Sequence, residues 1–273
     1  MFSLCNLLNG VPTDLEAEPR FDFERMLNWK ILRGSHEFPG PDGGTCVNEA
    51  AIVAAGFPYQ PVRRIDDCPA SFSRPLALYA MCLNEIIMND SLRQELLMPF
   101  VTRLAGSADR LEVDMARVVL IVQQTVKVIL PEALERAGYE WEAQRCRSVD
   151  TIEDAVVAVK HLCGRNWYAR GSHMVGLINT INLAVEDLVA HRVVDAAQYA
   201  GTAIADVAEV IASIGGDGAK RAADNAYRQG AAILDAALKI GRQAQDLPTE
   251  LVAQRLQSVK RLALVQQQTV SVA

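Results

Sequence analysis

The run Trp167–Ile214, WYARGSHMVGLINTINLAVEDLVAHRVVDAAQYAGTAIADVAEVIASI, decides the fold. Apolar residues recur through it at helical spacing almost without interruption, which no strand can satisfy. Gly164, Gly171 and Gly176 weaken the pattern at its start, so a break between Gly164 and Gly176 is expected. Beyond it, Gly215–Gly218 reads as a turn, and Ala219–Gln245 and Thr249 to about Thr269 as two further helices. Upstream, Asp109–Leu130 is helical, Pro131 starts a short helix, and Asp150–Cys163 forms another with Thr151 and Asp154 in its first turn.

The first hundred residues carry shorter helices between loops. Phe21–Leu32 places Phe23, Met26, Leu27 and Ile31 at three- and four-residue spacing and stops at Gly34. Thr45 or Cys46 opens the next helix; Gly56 ends it, and Pro58 and Pro61 prevent its return. After the loop Val62–Ser71, Ser73 caps a helix with Pro75 in its first turn, running to about Met88. Asp90 or Ser91 caps another, with Gln94 placed to close a capping box on Ser91 and Pro99 to kink the chain before Gly106. Alternating apolar and polar stretches, and Asn-Gly or Asp-Gly signals between two such stretches, are missing. The expected fold is all-α, a multi-helix bundle of about nine to eleven helices. Its loop-rich N-terminal part, residues 1–107, gives way near Gly106–Asp109 to long Ala-rich helices over residues 108–273, as a second domain or as one continuous core.

Asp195–Ile211 aligns with Asp224–Ile240 at an offset of 29 residues, with eight identities in seventeen positions, among them Gly201/Gly230, Ile204/Ile233 and Asp206/Asp235. The shared register suggests two antiparallel helices with equivalent small-residue faces, which let axes come close; Ala-rich composition alone produces similar matches.

Composition narrows the function classes. Half of the 273 residues are hydrophobic but only 6% aromatic, so the core is aliphatic and suits closely packed helices. A net charge of −6 argues against general affinity for nucleic acid or an anionic membrane surface. The most apolar run, Met115–Leu130, contains Arg117, Gln123, Gln124 and Lys127, which a lipid-facing span would not accept. The N-terminus turns acidic without a basic region, so no signal peptide is expected. Cys5, Cys46, Cys68, Cys82, Cys146 and Cys163 are scattered with no C-x-x-C pair, as expected of reduced thiols in a cytoplasm.

The segment least like a generic helical protein is Gly34–Gly56, GSHEFPGPDGGTCVNEAAIVAAG. Three chemistries fit its residues. A thiol at Cys46, in the first turn of a helix, sees the positive end of the macrodipole, which favours thiolate; His36 or a downstream histidine would be its base. Gly43-Gly44 before the thiol and Gly56–Val62 after it resemble the nucleophile region of transglutaminase-like and papain-like hydrolases, but those folds hold the partner His and Asp on strands, whereas His161, His173 and His191 lie in helical sequence here. Alternatively, His36, Asp42, Cys46 and Glu49 offer four metal donors within fourteen residues, although without the closely paired Cys or His spacing of known zinc sites. The third reading is a structural brace: Asp42 organises the Gly43-Gly44 turn, Thr45 caps the helix, Glu49 accepts hydrogen bonds from loop N–H groups or pairs with Arg33, Arg63 or Arg74, and Cys46 packs inward. It accounts for every residue type without chemistry and needs no cofactor or metal.

Asp42–Ala51 followed by Ala55-Gly56 resembles a motif, D-G-x-x-C-x-x-E-A, in a group of uncharacterised bacterial and phage proteins. The resemblance extends through Asp67–Pro69, Asn89-Asp90, Arg93, Pro99 and Arg103 to Gly106. It marks Asp42, Gly43, Gly44, Thr45, Cys46, Glu49, Asp90 and Arg93 as positions of interest, to which Arg74 is added as a counter-charge, and implies no mechanism.

A mildly basic region, Arg145, Arg147, Lys160, His161, Arg165, Arg170 and His173, is interleaved with Trp141, Trp167 and Tyr168 and diluted by Asp150, Glu153 and Asp154. It suits an acidic partner or RNA, though charged residues on helices are usually a solvated face. Gly215–Gly218 opens a helix and could hold an anion, but Asp217 would repel it. No phosphate-binding, dinucleotide-binding, zinc-protease or serine-hydrolase motif occurs. The expected function is therefore non-catalytic interaction or assembly with a protein partner or with itself, in which the amphipathic tail Leu251–Val270 completes an intermolecular bundle.

Overall fold

The structure, a computed structural model, describes residues 29–37, 44–165, 167, 171–241 and 247–270. The fold is all-α; in place of strands, two isolated bridges join Ile31 to Thr45 and Phe72 to Ala105 among the described residues. The helices are α1 (Val47–Ala54), α2 (Arg74–Ile86), α3 (Asp90–Leu97), α4 (Leu111–Gln124), α5 (Leu130–Arg136), α6 (Glu140–Arg147), α7 (Ile152–Cys163), α8 (Ser172–Val189), α9 (Val193–Ile214), α10 (Ala219–Leu238) and α11 (Thr249–Val270).

Helix α9 is the hub, packed against α8, α2, α10, α4 and α5. Its buried face is made largely of small residues, including Ala196, Ala197, Ala200, Gly201 and Ala203, and so admits several neighbours at short interaxial distance. The internal repeat has a physical basis here. A Cβ on Gly201 would sit 2.8 Å from Cys82 Cβ, and one on Gly230 would sit 2.7 Å from Ile204 Cδ1 and 3.0 Å from Leu83 Cδ2. Both glycines thus clear space for α2, and the Tyr79 hydroxyl of that helix donates to Gly230 O at 3.2 Å. One hydrophobic cluster runs from Trp29 and α1 through α2 and α9 to Val252 and Leu256 of α11, on both sides of Gly106.

Helix boundaries follow local chemistry. Thr151 and Asp154, expected in the first turn of α7, form a capping box there. Gly56 ends α1 at φ +90°, with its N–H on Val53 O and the Phe57 N–H on Ile52 O, the Schellman pairing that uses a left-handed residue to satisfy the last carbonyls. Gly171, at φ +90°, precedes α8, so the weakening expected after Gly164 is a real break.

Several expectations need correction. The helix expected over Phe21–Leu32 is contradicted at its end: Trp29–Leu32 is non-helical, because its backbone groups are claimed by Thr45 and by the Gln94 side chain; residues 21–28 lie outside the described residues. Gln94 therefore closes no capping box on Ser91, and Asn89 caps α3 by accepting from the Leu92 N–H at 3.0 Å. Ser73 holds the N-cap position of α2, yet its hydroxyl donates to Asp114 Oδ1 at 2.7 Å. The run Trp167–Ile214 breaks at Ala190–Arg192, where His191 adopts φ +61° and the N–H groups of His191 and Arg192 close on Leu188 O and Asp187 O. Arg192 also pairs with Asp187. Pro131 lies in the first turn of the short helix α5, as expected, but the helix before it ends at Gln124 and not at Leu130. The chain continues from α4 through a π-helical turn, Thr125–Ile129, into α5, since proline's missing N–H and its ring's clash with the carbonyl four residues back are relieved by widening the turn. Helix α10 stops at Leu238, ahead of Gly241 at φ +79°, and α6 was not foreseen.

Candidate functional site

Helix α1 starts at Cys46, whose Sγ accepts the Glu49 N–H at 3.4 Å while Glu49 Oε2 accepts the Cys46 N–H at 2.9 Å. This is a capping box in which a thiol takes the usual hydroxyl's place. Glu49 is completely buried and does more than cap. Its Oε1 accepts from the Ser35 hydroxyl at 2.8 Å, the His36 N–H at 3.0 Å and the Val62 N–H at 3.0 Å. Its Oε2 also lies 3.3 Å from His36 Nδ1. One carboxylate therefore joins the helix start to two separate stretches of irregular backbone, around His36 and Val62. Burying it is tolerable because donors surround it. The ring beside it is that of His36; Arg33, Arg63 and Arg74 are engaged elsewhere, with Glu85, with Glu37, and with the carbonyls of Ile65 and Cys68 at 2.7 and 2.6 Å.

The chain before His36 is held by side chains imitating a neighbouring strand. Gln94 Nε2 donates to Trp29 O at 2.8 Å and its Oε1 accepts from the Ile31 N–H at 2.6 Å. On the other side Leu32 N–H donates to Thr45 O and Thr45 N–H to Lys30 O, at 2.8 and 3.0 Å. Trp29 Nε1 donates to Thr45 Oγ1 at 2.7 Å, so Thr45 serves this contact and not the helix cap. Buried Asn84 donates to Leu32 O at 2.9 Å and accepts from the Val47 N–H at 3.2 Å. Gly44 permits the approach of Leu32, whose side chain would collide with any Cβ there. Tyr59 closes the assembly by donating to His36 O at 2.6 Å. Asp42 and Gly43 lie outside the described residues.

Arg93 acts one layer below. Its guanidinium is buried, donates to Asn84 O at 2.9 Å and to Ile87 O, and pairs with Asp90. It thus satisfies carbonyls at the C-terminus of α2, where the helix dipole favours a cation. Asp90 and Arg93 are brought together with Asn84, and through it with the start of α1. Ser35, Tyr59, Asn84 and Gln94 belong to the site and were missed in the sequence. Only Glu49's spacing to Cys46 carried a readable signal.

The electrostatics oppose a reactive thiol. Burial pushes the Cys46 thiol well above its ordinary pKa, and the charge of Glu49 pushes it further; the N–H groups of Glu49 and Asn48 offset this only in part. The expected thiolate-favouring pull of the helix N-terminus is overturned, because a carboxylate already occupies that end. Cys68 is raised to about 12 by burial, against a lowering by Arg74. Tyr59 is raised by burial and then by Glu49. No hydrogen bond joins His36 to Cys46 among the described residues; His161 packs on Trp141, and His173 pairs with Glu209. Among the described residues no group of three or more His, Cys, Asp and Glu side chains is placed to hold a metal, and no helix is long and apolar enough to cross a membrane.

No protein family, curated protein sequence or solved structure matches the chain.

Proposed function

We propose that the protein is a non-catalytic helical interaction or assembly protein that binds a protein partner or a second copy of itself. The observation that carries this reading is the placement of α11. That helix has 22 residues, about 33 Å at the rise of an α-helix, and its main described packing partner is α1, which has eight. Val252 and Leu256 are buried, and Arg255 donates to Ala54 O at 2.7 Å, so the first turns are docked. The last turns have the sequence LALVQQQTV, residues 262–270, apolar at Leu262, Leu264 and Val265 and without a charge. An amphipathic helix whose last nine residues are apolar or uncharged suits completion of a bundle by another chain. The brace built on Glu49 supports the same reading, since it spends the segment's polar groups on holding backbone.

The five described cysteines are free, which supports a reducing compartment such as the cytoplasm. A bacterial or phage origin rests on the D-G-x-x-C-x-x-E-A resemblance. Sedimentation velocity at micromolar concentrations tests the assembly part: self-association is expected, and a monomer over the whole range removes it.

A further inference from the structure

Two short helices carry an aromatic and basic cluster to one surface. Trp141, in the first turn of α6, is 58% exposed, whereas Trp29 and Trp167 are buried. Arg145, one turn on, stacks with its guanidinium carbon 5.5 Å from the Trp141 ring centre. From the last turn of α7, His161 packs edge-on against the same ring at 5.0 Å. His161 Nε2 is buried there without a hydrogen-bond partner among the described residues. Val157, one turn before His161, is 53% exposed.

The charges nearby divide into two sets. Arg147 and Arg165 are matched by Glu135 and Glu142 at this end of the bundle. Arg145 and Lys160 form no ion pair among the described residues, and both are solvent-accessible. Of the acids on these helices, Asp154 is committed to the α7 cap and Glu142 to Arg165, which leaves Glu140 and Glu153 at the helix starts. The exposed Trp141 ring therefore has Arg145 and His161 upon it, and the helix that supplies His161 also carries exposed Val157 one turn before it and exposed Lys160 beside it in sequence. Exposed Trp and Arg in one patch are the residue types that dominate binding energy at protein interfaces. The complementary ligand is an apolar side chain flanked by carboxylates.

The chain itself contains such a segment. Asp14-Leu15-Glu16-Ala17-Glu18 sets three carboxylates around one leucine, between Pro12 and Pro19. We infer that the Trp141 surface of one copy binds the Asp14–Glu18 segment of a second copy, with Leu15 on the Trp141 ring and the carboxylates against Arg145 and Lys160. The inference rests on the self-association reading and names its contact.

A charge swap in the full-length chain tests it by sedimentation and by acrylamide quenching of the exposed tryptophan. The double variant Arg145→Glu/Lys160→Glu, and separately Trp141→Ala, should weaken self-association at least about tenfold, a loss typical of an interface anchor. Adding Asp14→Lys/Glu16→Lys to the double variant should restore it. Acrylamide access to Trp141 should fall as wild type associates, and rise again with 0.5 M salt on the order of the screening expected for exposed charges. A wild-type monomer removes both this contact and the assembly reading. Wild-type self-association that survives Trp141→Ala and the double variant removes this contact alone. Protection of Trp141 by decauridylate, with no effect of the swap on association, overturns it in favour of a nucleic-acid surface.

Discussion

Replacing Glu49 by Gln removes the charge at the centre of the brace while keeping its shape. The glutamine oxygen can retain the Oε1 set, the Ser35 hydroxyl and the N–H groups of His36 and Val62. Its NH2 group then faces the Cys46 N–H, a donor against a donor, and the contact with His36 loses its charge. A hydrogen bond to a charged group is worth about 1.5–3 kcal/mol, and a buried donor left unpaired costs a comparable amount. With three retained bonds also weakened to neutral strength, Glu49→Gln should lose about 3 kcal/mol. Glu49→Ala, which orphans three backbone N–H groups, should lose about 5 kcal/mol, the range reached only when a buried network is broken. For a chain of this length 3 kcal/mol corresponds to a fall in Tm of roughly 6–12 °C. Urea unfolding followed by far-UV circular dichroism reads the change as a shift in midpoint at constant slope. Exposed Glu153 serves as the control, with Glu153→Gln within about 0.5 kcal/mol of wild type. Glu49→Gln within that same 0.5 kcal/mol would show that the Glu49 charge does not hold these loops to the helix.

Four other substitutions bear on the packing and the charges. Gly201→Ala and Gly230→Ala place a methyl group 2.8 Å from Cys82 Cβ and 2.7 Å from Ile204 Cδ1, so each should destabilise by about 1–3 kcal/mol. Gly176→Ala, in the interior of α8 with no atom within 4 Å of the new Cβ, should stabilise by about 0.5–1 kcal/mol; thermal unfolding of the three variants compares the signs directly. Asp206 is half-buried, one of its carboxylate oxygens has no partner, and burial raises its pKa. A carboxyl whose folded pKa exceeds its unfolded one contributes stability when protonated and loses it as pH rises through the folded value. Asp206→Asn should therefore stabilise at pH 7, with the gain vanishing below the unfolded carboxyl range near pH 4; a gain that persists unchanged at low pH would contradict the cause given.

Helical spacing was enough to find α2, α4, α7, α9, α10 and α11, because apolar residues repeat along each of them at helical intervals over several turns. It misled at Trp29–Leu32, where Ile31, the last residue of the spaced series, lies in non-helical chain. There the decision belongs to Gln94, more than sixty residues away, whose amide supplies both a donor and an acceptor to the segment. His191 gave no warning of a helix end, since a left-handed residue there is usually glycine. In the site, Glu49 was recognisable as a group that accepts from loop N–H groups, from its place three residues after the helix start. Its partner was not: His36 and not an arginine lies beside it, a matter of how the loop returns. Thr45 was read as the cap because hydroxyls usually are, but Trp29 takes its oxygen and the thiol of Cys46 remains for the helix.

Glu49 and its partners hold the backbone around His36 and Val62 together, and Cys46 is a packing thiol. The most direct test is the pH dependence of iodoacetamide labelling of the native protein, with each cysteine followed by mass spectrometry. Exposed Cys163 should label first, while Cys46 stays unlabelled from pH 6 to 9 and reacts only when the protein unfolds, together with Cys68 and Cys146, both raised to about 12 by burial. Selective alkylation of Cys46 in folded protein at neutral pH would contradict the claim and establish a reactive thiol at the start of α1.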